Sequence, residues 1–213
     1  MLKMGRRVSV PACEDAHTAK DLFMDEWNDL LRLIARESIL FKAEGFKLAS
    51  GKISNWYYDV KRTTLSYPHA LAGAARLIYN RITALAPSAR AVGGLTSGAD
   101  PLVVAIGQAA LTEGSNLPGF FVREKPKEHG TERVVEGVLA PGVDVVIVDD
   151  VITEGKSAYK AILGAEEQGA RVVHVFILVD REEGGAEFIR SKGYKIESIF
   201  THKQLIPFAP TAP

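Results

Sequence analysis

Cysteine is almost missing: Cys13 stands alone among 213 residues. No internal disulfide can staple the fold, and a lone thiol fits a reducing compartment. Long apolar runs are missing too, since no uninterrupted stretch approaches the roughly 20 residues a membrane-spanning helix needs. The basic residues 1–7 lack the apolar segment of a secretory signal, because Pro11, Glu14, Asp15 and His17 break up the stretch after them. There is no excess of either charge, with Lys plus Arg and Asp plus Glu both numbering 26. That balance argues against a dedicated nucleic-acid binder, which needs a positive field toward phosphates. These absences predict a cytoplasmic protein with neither a membrane nor a nucleic-acid partner.

With 46% hydrophobic and 24% charged residues, the chain has the balance of a globular domain that buries one core. No repeat or low-complexity linker divides it. Residues 1–20 therefore read as a mobile N-terminal arm and 21–213 as a single domain. Leu22, Phe23, Trp27, Leu30, Leu31, Ile34 and Ile39 recur at helical spacing, which predicts a helix over 21–44 stopped by Gly45. A Ser50-Gly51-Lys52 turn before Tyr57, Tyr58 and Val60 predicts a hairpin over 47–61, packed outside a main sheet. Helix and strand then alternate. Helices are expected over 68–85, 101–111, 157–168 and 185–191, and strands over 91–94, 119–122, 145–148, 172–179 and 196–201. Strands separated by helices imply an α/β fold with a mainly parallel central sheet flanked by helices.

Val145-Val146-Ile147-Val148 reads as a strand buried on both faces. It runs into Asp149 and Asp150, then into Thr153-Glu154-Gly155-Lys156-Ser157 at the start of a helix. A loop at the carboxyl end of such a strand is where open α/β sheets bind ligands. Its backbone N–H groups and helix dipole suit a phosphate, and the two carboxylates suit sugar hydroxyls or a metal-bound water. Together they point to a phosphorylated ribose; a plain strand-end turn is the alternative. Gly155-Lys156-Ser157 also looks like the end of a nucleotide P-loop, but that motif needs Gly where Asp150 stands.

A strand also enters Arg123-Glu124-Lys125-Pro126-Lys127-Glu128-His129-Gly130-Thr131-Glu132-Arg133, where apolar patterning disappears. Long loops without their own structure often act as lids, and the basic side chains here suit a pyrophosphate. By composition alone, with acidic residues interleaved, the segment reads as a solvated surface loop.

The segment 145–157 resembles the 5-phosphoribosyl 1-pyrophosphate (PRPP) motif of the type I phosphoribosyltransferases. Arg-x-x-x-Lys-x-His-Gly at 123–130 resembles the catalytic loop of the orotate phosphoribosyltransferases. Phe46-Lys47-Leu48-Ala49-Ser50-Gly51-Lys52 with Tyr57-Tyr58-Asp59 is similar to that family's amino-terminal hood. Gly94-Leu95-Thr96-Ser97-Gly98-Ala99-Asp100-Pro101 is similar to its pyrophosphate loop, and Asp180-Arg181-Glu182-Glu183-Gly184-Gly185 to the segment after its next strand. The segments keep the family's order from about Phe41 to Thr201.

The resemblance implies a type I phosphoribosyltransferase fold with a small hood, mainly from 21–65 and the C-terminal end, and a flexible catalytic loop. It implies transfer of phosphoribose from PRPP to orotate with Mg2+, in a homodimer whose subunits share the loop. Lys127 would be the main loop cation, assisted by Arg123 and His129. Asp149 and Asp150 would hold the ribose hydroxyls close to a magnesium carried mainly by PRPP, with no direct protein ligand. Thr153, Glu154, Gly155, Lys156 and Ser157 would cradle the 5′-phosphate, with Lys125, Ser97 and Gly98 on the pyrophosphate side. Thr153 and Arg181 would bind orotate, with Tyr57 and Tyr58 against the pyrimidine. Without the resemblance, Arg181 reads as surface and at least one of the tyrosines as core. Ala49, Ser97-Gly98, Glu124 and Glu154 depart from patterns seen in the family. Glu154 is expected to face outward, since a carboxylate in a phosphate loop repels its ligand unless it points to solvent or meets Lys156. A phosphoribosyltransferase for a purine base and a non-catalytic PRPP-sensing regulator remain alternative readings.

Overall fold

The computed structural model describes residues 19–47, 51, 53–125 and 134–210. Helix α1 (Ala19–Ser38) leads into an antiparallel hairpin, β1 (Ile39–Lys47) and β2 (Ile53–Tyr58), that forms its own two-stranded sheet. Then come α2 (Val60–Ser66), α3 (Pro68–Leu85), β3 (Ala91–Leu95), α4 (Asp100–Thr112), β4 (Gly119–Val122) and the short β5 (Val135–Glu136). The chain continues through β6 (Asp144–Ile152), α5 (Lys156–Glu167), β7 (Arg171–Asp180), α6 (Gly185–Ser191) and β8 (Ile196–Thr201) to α7 (His202–Leu205) and a 3₁₀ turn, Ile206–Phe208.

The main sheet has the order β5-β4-β3-β6-β7-β8, parallel except for β5. Core residues divide by face. On one, α1, α3 and α4 cover Val92, Val146, Val148, Phe176, Leu178 and Phe200. On the other, α5 and α6 cover Val145, Ile147, Val175 and Ile177. Alternation along β6 and β7 sends successive side chains into opposite cores, so Val145–Val148 and Val175–Val179 read as apolar runs. Phe120, Phe176 and Phe200 are almost wholly enclosed, each contributing roughly 2–3 kcal/mol of burial. Pro68 opens α3 within its first turn, where its missing N–H costs nothing, and Ala70, Ala74, Leu77, Ile78 and Ile82 form its buried stripe.

The helix expected over 21–44 ends at Ser38 instead. Ile39, Leu40 and Phe41 pair with Tyr58, Tyr57 and Trp56, so a cross-strand partner overrides the local helical spacing. Gly45 is not a helix stop: it lies at φ +82° where the hairpin register shifts between Phe41 and Phe46. A Cβ there would fall 2.2 Å from Ile53 Cγ2, so the bulge demands glycine. Strand β6 also outruns the expected 145–148. Asp149 pairs with Ile177, Val151 with Val179 and Ile152 with Asp180, because ladder pairing uses backbone groups whatever the side chain.

β3 is followed by α4 and a strand on one side of the sheet, β6 by α5 and a strand on the other. Their loops therefore diverge. The last paired residues are Gly93 and Ile147, and beyond them a crevice opens at the carboxyl ends of the strands, the topological switch point of an open α/β sheet.

Candidate active site

A cleft of about 390 Å³ sits at this crevice, lined by Tyr57, Tyr58, Asp149, the segment 151–158 and Arg181. Its floor is the end of β6. Asp149 and Asp150 are both nearly buried, and each commits Oδ1 to the next backbone N–H, Asp150 N and Val151 N, at 3.0 Å. Burial pushes the Asp149 carboxyl well above the usual range, and the neighbouring Asp150 charge adds to the shift. Gly98 brings the β3–α4 loop against the pair: a Cβ on it would lie 2.5 Å from Asp150 Oδ1 and 3.1 Å from Asp149 Oδ1. Gly94 lets the loop start this close, since a Cβ there would fall 2.2 Å from Val148 O. The peptide between Thr96 and Ser97 is cis.

The opposite wall is the loop into α5. Gly155 takes φ +79° at the helix N-cap, a left-handed conformation that favours glycine. It also packs too closely on Gly185 for a side chain, with Gly185 O 2.8 Å from a built Cβ. The first-turn N–H groups of α5 have no intrahelical acceptors and face a prospective anion. Glu154 does not stand out in solvent as expected. It lines the cleft, 24% of its side chain exposed, and accepts a hydrogen bond from Lys156 Nζ at 2.7 Å. The ion pair across one residue offsets the carboxylate within the loop.

Arg181 closes the far end, and it is a buried residue rather than a surface one. Its Nη2 donates to Ser54 Oγ and Trp56 O, both at 3.2 Å, and pairs with Glu183 Oε1 at 2.5 Å. The guanidinium lies over the Tyr58 ring, 4.9 Å from its centroid. Arg181 Nε is buried with no partner among the described residues. An unpaired buried donor is costly, so Nε marks an unmet hydrogen bond at this end of the cleft. Tyr58 is core: it is buried, its hydroxyl meets His202 Nδ1, and burial raises its phenol far above the ordinary value. Tyr57 is 42% exposed and stacks against Phe46 at the cleft edge.

Of the loop cations, the described Arg123 and Lys125 do not line this cleft. Arg123 pairs with Glu136 at 3.2 Å and Glu124 with Lys160 at 3.3 Å, while Lys125 is exposed. Lys127 and His129 lie outside the described residues. Ser54 and Trp56, which hold Arg181, His202, which meets Tyr58, and Lys61, which pairs with Asp150, had no sequence signal of these contacts.

A parallel sheet with a carboxyl-end switch point, an acidic pair leading into a glycine phosphate loop, and a hairpin folded over the cleft define a type I phosphoribosyltransferase. No family model matches the chain, but individual relatives do. The orotate phosphoribosyltransferase of Aquifex aeolicus is 40% identical over 186 residues, 87% of this chain and 100% of the relative. The crystal structure of Mycobacterium tuberculosis H37Rv orotate phosphoribosyltransferase in complex with Fe(III) dicitrate superposes with a TM-score of 0.72 at 35% identity, covering 84% of this chain and 98% of that one. The same enzyme in complex with PRPP gives 0.67 at 31% identity, covering 85% and 92%. This chain belongs to the orotate phosphoribosyltransferase family.

Proposed function

We infer that this chain transfers the 5-phosphoribosyl group from PRPP to orotate, releasing pyrophosphate and forming orotidine 5′-monophosphate for pyrimidine synthesis. The observation that carries this reading is one cleft lined by the loop into α5, by Asp149 of the acidic pair and by a buried guanidinium with an unsatisfied Nε, in a chain of this family. In the reaction the bond from ribose C1 to the pyrophosphate oxygen breaks, and its electron pair leaves with pyrophosphate. An orotate ring nitrogen then bonds to C1 and gives up its proton, which leaves with pyrophosphate or passes to water. Positive charge builds on the ribosyl centre and negative charge on the leaving group, so the site must serve both and exclude water.

Thr153, Gly155, Lys156 and Ser157 hold the 5′-phosphate, largely through backbone N–H groups, with Glu154 balancing Lys156. Asp149 and Asp150 take the ribose hydroxyls. Ser97 and Gly98 lie on the pyrophosphate side. Arg181 presents its guanidinium edge to the orotate carboxylate, where a planar fork matches two oxygens. Tyr57 borders the pyrimidine and Tyr58 supports Arg181 from below. Lys127, aided by Arg123, Lys125 and His129, neutralises the departing pyrophosphate when the loop closes.

Two carboxylates suit a Mg2+ ion that arrives with PRPP. Among the described residues, no group of three or more His, Cys, Asp or Glu side chains could hold the ion alone. The bound ion would supply charge neutralisation at the pyrophosphate. We further infer a homodimer that shares the catalytic loop, and one catalytic unit over 21–213 with residues 1–20 as an arm outside it. Its hood is drawn mainly from 21–65 and the C-terminal end. A cytoplasmic setting is supported by the single Cys13; no described helix is long and apolar enough to cross a membrane.

The test is orotate absorbance after mixing the protein with PRPP and magnesium. Loss that needs both additions and reverses with pyrophosphate is the expected result. Turnover with a purine base but not orotate would overturn the assigned specificity. PRPP binding without turnover of any base would indicate a regulator.

A further inference from the structure

Lys61 stands on the first turn of α2, its Nζ 3.6 Å from Asp150 Oδ2 and its side chain 41% exposed. The backbone beneath it is firmly held. Val60 is fully buried, Asp59 N–H donates to Ser38 O at 2.8 Å, and the buried Ser38 and Thr63 hydroxyls are 2.5 Å apart. A lysine on such a scaffold arrives at a defined place rather than sweeping the surface.

The acidic pair has a reason to need it. Asp150 spends Oδ1 on Val151 N–H, and Gly98 packs so closely that a Cβ would clash with the same oxygen. Oδ2 is left as the edge that can be aimed, and Lys61 is the cation beside it. Two adjacent carboxylates repel each other, and both repel an incoming pyrophosphate. The same ammonium opposes the burial that raises the Asp149 carboxyl.

We propose that Lys61 is a positioning residue for PRPP, acting through Asp150 by orienting its Oδ2 toward the ribose hydroxyls and offsetting the charge of the acidic pair. The proposal rests on the reading of this chain as a PRPP-dependent transferase. The lysine belongs to the segment just after the hairpin, so it ties the β1–β2 hood to the ribose site at the end of β6.

The experiment is calorimetric titration of the full chain with PRPP and magnesium, alongside steady-state kinetics. Lys61→Met, with Lys61→Gln in parallel, weakens PRPP binding by about two- to fivefold, the scale of one half-exposed ion pair at a binding site. The orotate KM stays within about twofold and Lys61→Arg restores PRPP binding. In an Asp150→Asn background, Lys61→Met adds nothing further, because its route runs through that carboxylate. Unchanged PRPP affinity in both neutral variants would overturn the proposal. So would failure of Lys61→Arg to rescue, additivity with Asp150→Asn, or an orotate KM that rises in step. If the unaltered chain binds no PRPP, the functional reading itself fails and this proposal with it; normal binding with a silent Lys61 sinks the proposal alone.

Discussion

Arg181→Lys isolates the guanidinium fork from its charge. In the free site, Nη2 is already engaged by Ser54 Oγ, Trp56 O and Glu183, while Nε is buried without a partner among the described residues. In the proposed contact with orotate, Nε is the donor still unpaired, and Nη2, which shares its edge, exchanges one of its present partners to complete the fork. Two parallel N–H···O bonds to a carboxylate are charge-assisted, each worth about 1.5–3 kcal/mol. A lysine keeps the positive charge but presents a point rather than a fork. It cannot hold Ser54 and Trp56 while reaching the ligand, so about one such bond is lost. A loss of about 2 kcal/mol corresponds to roughly a thirtyfold fall in kcat/KM for orotate. Arg181→Ala also removes the charge, and its loss should exceed about a hundredfold. The assay is initial rate against orotate at saturating PRPP, with PRPP affinity measured separately by calorimetry. PRPP affinity should stay within about twofold, since the phosphate loop and acidic pair are untouched. A fall below about threefold for orotate with Arg181→Lys, or equal losses for both substrates, would refute the assignment of Arg181 to the orotate carboxylate.

Gly98→Ala should cut kcat/KM for PRPP by between about ten- and a hundredfold with little change in melting temperature, because its Cβ would press on Asp150 Oδ1 at 2.5 Å; wild-type kinetics would show that the loop yields freely. Lys127→Ala should lower turnover far more than PRPP affinity, and equal losses in single-turnover and binding assays would make Lys127 a simple binding cation. His174 concerns stability instead. It is buried against Phe176 with both ring nitrogens unpartnered among the described residues, and burial lowers its pKa, Lys195 adding to the shift. The folded state thus takes up a proton less readily than the unfolded chain, so stability is held above the unfolded value and drains as pH falls through it. Urea midpoints should drop between about pH 7.5 and about pH 5.5, and His174→Phe should flatten that drop; an identical drop in the variant would clear His174 of the effect.

The central sheet was legible because its strands are buried on both faces, so burial itself wrote Val145–Val148 and Val172–Val179 as apolar runs between glycine and proline punctuation. The ligand end was legible for a related reason: two carboxylates at the end of a buried strand are costly unless something offsets them, and Gly155 read as the residue that opens α5. What failed were features decided by distant partners. Ile39 and Phe41 continue the helical spacing of α1, and only pairing with β2 pulls them into a strand. Helix α2 carries the β-branched Thr63 and Thr64 and gave no local signal; it is anchored by the Ser38–Thr63 contact and the burial of Val60. Arg181 read as surface because nothing adjacent in sequence announces Tyr58, Ser54 and Trp56 beneath and beside it. Tyr58 in turn is fixed by His202, which comes directly after the last strand.

The Glu154–Lys156 pair bears on how a carboxylate can sit in the loop proposed to hold the 5′-phosphate. A cradle that relied on net side-chain charge would be spoiled by it, since Lys156 is already matched. The remaining attraction would come from the backbone: the first-turn N–H groups of α5 and the helix dipole behind them, at a helix start that Gly155 opens in the left-handed conformation. Those donors have fixed directions, whereas a lysine on a flexible stem does not. Such a loop selects the tetrahedral shape of a phosphate monoester more than its charge. It leaves the stronger electrostatic work to the pyrophosphate end, where that charge must be neutralised as the bond to C1 breaks.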